Sequence, residues 1–178
     1  MSIRDLLEAY GKSVEQRKQE FIQEYLSYGF TEAEAKQDAK IKRTAGSIVR
    51  EVPTFDLSIS QKVSPQLHER FLYTGKRKEI GETWLDVEGM LKLIHKPKFK
   101  KWVKSMRENW EDSAPMIYPD KQLSVVSVAS EKDGDFTLAV WNNPIEPEIW
   151  RYHGQSEQKF KDFSDWIKWL NGADTSFE

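Results

Sequence analysis

The chain contains no cysteine, which excludes a disulfide framework, a thiolate zinc site and a cysteine nucleophile, and suits a reducing compartment. Long apolar runs are missing as well. Nothing approaches the roughly 18 to 20 residues that cross a bilayer, and the first residues, MSIRDLLEAYGK, lack the apolar core of a signal peptide. A cytoplasmic protein is the expectation. The histidines His68, His95 and His153 lie far apart, none with a second histidine or a carboxylate at a zinc-motif spacing. There is no Gly-x-Ser-x-Gly elbow and no glycine-rich phosphate loop. No catalytic set, metal ligand or cofactor site is read from the sequence, and a binding module is expected in place of an enzyme. Dispersed carboxylates such as Glu131, Asp133 and Asp135 remain the one alternative for catalysis, because acidic groups can meet in three dimensions.

What the chain does have is length enough for a core. Its 178 residues fit one domain that buries about two-thirds of its unfolded surface. The net charge of −2 is unevenly placed: Lys92, Lys96, Lys98, Lys100, Lys101, Lys104 and Arg107 fall between Gly89 and Arg107 with no carboxylate among them, so that segment carries +7. A solvated helix face explains this, and nucleic-acid binding by the basic helix at 96–107 is the alternative.

Leu7, Tyr10, Val14, Phe21, Tyr25 and Tyr28 share one helical face, so a first helix is expected up to Gly29. Thr31 with Glu34 forms a capping box for a second helix reaching towards Ile48. Residues 1–52 therefore read as a helical hairpin packed on a main unit at 53–172, with a frayed tail at 173–178. Phe55, Leu57 and Ile59 alternate as in a strand. The stretch from Val63 to Thr83 has no clear period, although a short helix at 65–72 fits and Gly75, Lys76, Arg77 and Lys78 resemble an exposed turn. Helices follow at 87–94 and from Pro97, the latter with Phe99, Trp102, Val103, Met106 and Trp110 on one stripe. Strands at 122–130 and 136–142 flank the Lys132-Asp133-Gly134-Asp135 turn, a third strand spans 148–153, and a helix capped by Asp162 closes the chain at Gly172. The fold class is α+β: a mainly antiparallel sheet packed by helices.

Trp102, Trp110 and Trp166 sit on apolar helical stripes and read as core. Trp141, Trp150 and Tyr152 differ. Trp141 alternates with Phe136, Leu138 and Val140, and Trp150 and Tyr152 lie opposite Ile149, so these aromatics are candidates for a partly exposed partner patch. Packing by the amino-terminal hairpin explains them equally well. Asp133 and Asp135 are turn formers, and they join the three aromatics as candidate partner-binding residues.

The Trp84-Leu85 lead-in to the helix at 87–94, the DGDF turn at Asp133 to Phe136, the strand ending in Trp141 and the closing phrase Phe160-Lys161-Asp162-Phe163-Ser164-Asp165-Trp166-Ile167 together resemble the SMI1/KNR4, or SUKH, superfamily. The resemblance covers about half the chain, from Trp84 to Leu170. The family's usual amino-terminal portion is replaced here by the charged hairpin. The resemblance implies an antiparallel sheet with helices against it, and a bacterial immunity protein that binds and neutralises a cognate toxin.

Overall fold

The computed structural model describes residues 1–175. Its elements run α1 (Ile3–Ser27), α2 (Glu32–Asp38), β1 (Lys42–Arg43), β2 (Glu51–Pro53), β3 (Ser60–Lys62), α3 (Pro65–Tyr73), β4 (Arg77–Glu79), β5 (Glu82–Trp84), α4 (Val87–His95), α5 (Pro97–Asn109), α6 (Ala114–Ile117), β6 (Leu123–Ser130), β7 (Asp135–Val140), β8 (Glu148–His153), β9 (Ser156–Phe160) and α7 (Phe163–Leu170). Among the described residues, seven strands form an antiparallel sheet in the order β1-β4-β5-β6-β7-β8-β9, and β2 pairs with β3 in a separate ribbon. The α+β class read from the sequence holds.

Helix starts follow the side chains that satisfy free amides. Ser2 and Asp5 form a capping box at α1, as Thr31 and Glu34 do at α2. Ser64, Asp86 and Asp162 each accept the amide three residues on, opening α3, α4 and α7. Between β6 and β7, Gly134 takes φ +80°, and a Cβ there would meet the Trp102 ring at 2.6 Å. This close approach lets α5 lie against the hairpin.

The sheet is covered on both faces. On one, Trp84 stacks on Tyr10 of α1 at 5.0 Å and meets Phe163 and Trp166 of α7. On the other, Phe136 meets Phe99 and Trp102 of α5, edge to face. Leu6, Leu7, Tyr10 and Val14 belong to this same core, so the first half of α1 is built into the main unit, while Ile22, Ala35 and Ala39 form a small separate cluster where α2 meets the outer half of α1.

Several expectations need correction. The second helix stops at Asp38, and the chain from residue 40 runs extended to pair Lys42 with Lys78 and Arg43 with Arg77. Phe55, Leu57 and Ile59 are not a strand: Asp56 accepts both the amide and the hydroxyl of Ser58, turning the chain between β2 and β3. Arg77 is not in an exposed turn but buried on β4. A fourth strand, β9, extends the meander beyond β8 through a turn at Gly154. Ala173 bonds to Lys168 and Thr175 to Asp165, and the rest of the tail expected to fray, 176–178, lies outside the described residues.

Charged groups line the α1 side of the sheet. Arg77 bonds Glu79 at 2.8 Å, and Glu79 also accepts the Tyr10 hydroxyl. Arg70 is fully enclosed, its guanidinium 4.4 Å from the Phe71 ring centre and 5.7 Å from that of Trp84, and burial pulls its pKa down to about 9. Burial also pushes the Glu82 carboxyl from 4.5 up to about 7; Ser127 donates to it and Arg151 lowers it, while Glu79 and Asp135 push it further up. Because the folded value lies above the unfolded one, the folded state holds the extra proton, and stability falls as pH rises from about 4.5 to about 7. Glu82→Gln removes this term: urea unfolding of wild type and variant should show the gap changing in the variant's favour by on the order of 3 kcal/mol between pH 4 and pH 8. A pH-independent gap contradicts a buried, proton-holding Glu82.

Candidate functional site

The five residues singled out in the sequence do not come together. Asp133 sits exposed at the tip of the β6–β7 turn, where its carboxylate accepts the Ser130 hydroxyl at 2.7 Å. Asp135 is buried; it accepts the Gly154 amide at 2.7 Å and faces His153 Nδ1 at 3.0 Å, tying the β6–β7 turn to the β8–β9 turn. Trp141 lies at the far end of β7, about 20 Å away for six residues of extended chain.

The expectation that Trp150 and Tyr152 are partly exposed is corrected. Both are buried. Trp150 pairs across the strands with Leu138, which puts it and Tyr152 on the sheet face covered by α5 and α6. Tyr152 meets Trp102 and Trp110 edge to face, and its hydroxyl accepts the Ala114 amide at 2.7 Å, while burial raises its pKa. Trp150 packs on Tyr118, donates to Glu148 at 2.8 Å and carries the Lys159 ammonium over its ring at 4.3 Å. The amino-terminal hairpin takes no part in covering them.

Trp141 alone among the three keeps an open side. Its indole Nε1 donates to Ser124 Oγ at 3.0 Å, its amide to the Gln122 carbonyl at 2.8 Å, and its own carbonyl accepts Gln122 Nε2 at 3.1 Å. Backbone and ring are therefore fixed. Beside it runs a groove of about 1100 Å³, with the loop from Trp141 to Ile145 on one wall, residues 48–51 and 61–65 on the other, and His68 of α3 within. Ile48 and Ile145, 72 % and 70 % exposed, both line it. The loop wall is braced: Glu146 accepts the Gln66 amide at 2.9 Å, Gln66 accepts the Ser164 amide at 2.6 Å, and Asn143 accepts the Ile145 amide at 2.9 Å. Arg50, Lys62 and His68 line the groove against one carboxylate, Glu51.

The sequence points to Trp141 but not to the opposite wall, because the second helix is expected to reach towards Ile48 and residues 49–51 carry no element of their own. The exposed apolar Ile48 and Ile145, each beside a turn-forming stretch, are the signal that was there to be read.

The cations of residues 89–107 are largely neutralised by carboxylates from outside that segment: Lys92 by Glu88 at 2.6 Å, Lys96 by Glu131 at 2.7 Å, Lys104 by Glu108 at 3.7 Å, and Arg107 by Asp120. Glu131, Asp133 and Asp135 are each held by a different partner: Lys96, the Ser130 hydroxyl and His153. No cluster of three or more potential metal-ligating His, Asp or Glu groups occurs among the described residues, and no described helix is long and apolar enough to cross a membrane. Compared with known proteins, the chain matches no family model, no curated protein and no solved structure.

Proposed function

We propose that this protein is a protein-binding module that seats an extended segment of a partner protein in the groove beside Trp141. The observation that carries this reading is Trp141 itself: a large aromatic locked by hydrogen bonds on backbone and ring, with its open side in a groove that two strongly exposed isoleucines share. An aromatic held rigid before binding loses little entropy on contact, which is how interface anchors concentrate binding energy. The excess of Arg50 and Lys62 over Glu51 favours a segment that carries acidic residues next to its apolar anchor. The finer reading, an immunity protein that neutralises a toxin in the bacterial cytoplasm, rests on the SMI1/KNR4 resemblance. Nucleic-acid binding by α5 is the weaker alternative, since four of the seven cations in its segment are already paired.

The purified products of the genes adjoining its own are the probes. Calorimetric titration should find one that binds, and Ile48→Asp and Ile145→Asp should each weaken it at least about tenfold, with melting temperatures unchanged because both side chains face solvent. Binding that both variants leave intact, or no binding by any adjoining product, overturns the proposal.

A further inference from the structure

A second concavity, alongside α1, is cationic. It holds about 620 Å³ between α1, the end of α3 and the β1–β4 edge, and is lined by Glu8, Gly11, Lys12, Glu15, Lys18, Ile41, Arg43, Tyr73 and Arg77. Its two carboxylates have partners of their own, Glu8 with Arg4 at 3.2 Å and Glu15 with Lys18 at 3.5 Å. Lys12 and Arg43 make no ion pair among the described residues.

Three observations indicate that this charge awaits a ligand. Arg77 is buried, and while its Nε bonds Glu79, its Nη1 has no hydrogen-bond partner; an enclosed guanidinium nitrogen left unpaired is costly. Gly11 holds the space above it open: a Cβ there would stand 2.8 Å from the Tyr73 hydroxyl and 3.9 Å from Arg77 Nη1. Finally, β1 pairs with β4 by setting Lys42 opposite Lys78 and Arg43 opposite Arg77, and the adjoining depression is lined by Lys42, Arg43, Thr44, Lys76 and Lys78 with no carboxylate. Like charges directly opposite are destabilising. Lysine on an edge strand guards against aggregation, but that role needs neither a buried arginine with a free nitrogen nor a gap over it.

We infer that this cleft binds a small phosphate-bearing ligand, up to a mononucleotide in size, with Arg77 as the buried anchor and Lys12 and Arg43 at the mouth. The volume lies in the range of small-molecule sites, and an arginine fork with a free nitrogen suits phosphate oxygens.

The test titrates the full chain calorimetrically with pyrophosphate, adenosine diphosphate and adenosine. Both phosphate compounds should bind with Kd below about 1 mM at low salt, and adenosine should not. Arg43→Glu and Lys12→Glu, both at exposed positions, should weaken binding at least tenfold, while Lys104→Glu on α5 should leave it unchanged. Heat from neither phosphate compound, equal binding of adenosine, or full affinity in Arg43→Glu overturns the inference. So does binding of an oligonucleotide without binding of the diphosphate, which assigns the edge to a polyanion.

Discussion

Trp84→Ala is expected to lower the free energy of unfolding by about 4 kcal/mol, the cost of a large cavity at a site that cannot collapse. Trp84 is 1 % exposed and sits where four elements meet: Tyr10 of α1 stacks on it at 5.0 Å, Phe163 and Trp166 of α7 close it at 6.0 and 5.9 Å, and the guanidinium groups of Arg70 on α3 and Arg77 on β4 each lie 5.7 Å from its ring centre. Removing the ring leaves the cavity and also takes one of two π partners from each of two buried cations, Arg70 keeping Phe71 and Arg77 keeping Tyr10, which raises the cost above that of an aliphatic truncation. Chemical denaturation of wild type and variant measures this; a loss below about 1 kcal/mol would show that α1 and α7 do not converge on β5.

The second large effect is at Gly46. The chain from residue 44 to 47 runs against the end of α3, with the Ser47 amide bonded to the Phe71 carbonyl at 2.9 Å and the Gly75 amide to the Thr44 carbonyl at 3.2 Å. A Cβ on Gly46 would stand 2.0 Å from the Leu72 carbonyl oxygen and 2.5 Å from its carbon. These are backbone atoms of a packed helix end, so no side-chain rotation relieves the overlap. Gly46→Ala should therefore cost about 3 kcal/mol or more and lower Tm by roughly 6–12 °C. The displaced segment leads into Ile48 and the wall of the groove, so the same substitution should disturb partner binding. An unchanged melting temperature would place this segment away from α3.

How much of this was legible in the sequence depended on whether charge and burial agreed. They agree in α1, α4, α5 and α7 and in the β6–β7 hairpin, where apolar periodicity, caps and the Asp-Gly turn point the same way, and these elements were found. They disagree between residues 40 and 84. There β4 and β5 are three residues each, and Arg77, Glu79 and Glu82 point inwards, buried by Tyr10, Ser127 and one another. Inward-facing charges erase the alternation by which strands are recognised. In β9 the residues Glu157, Gln158 and Lys159 leave no apolar period either, yet Lys159 covers Trp150 and pairs with Glu157 at 3.2 Å. The fate of Trp150 and Tyr152 turned on register: alternation along β8 says only that they share a face, and the pairing of Trp150 with Leu138 decides which face that is. Trp141 stayed legible because it lies past the last residue of β7, where strand and loop meet.

The central claim, that Trp141 is a partner anchor and Trp150 is core, is tested most directly by paired thermal melts and calorimetric titrations of Trp141→Ala and Trp150→Ala against the adjoining-gene product that binds. Trp141→Ala should weaken binding about 30-fold, some 2 kcal/mol, while stability falls by about 1 kcal/mol. Trp150→Ala should instead cost about 3 to 5 kcal/mol of stability. If Trp141→Ala loses as much stability as Trp150→Ala, or keeps full affinity while folded, the groove beside Trp141 is not the binding site.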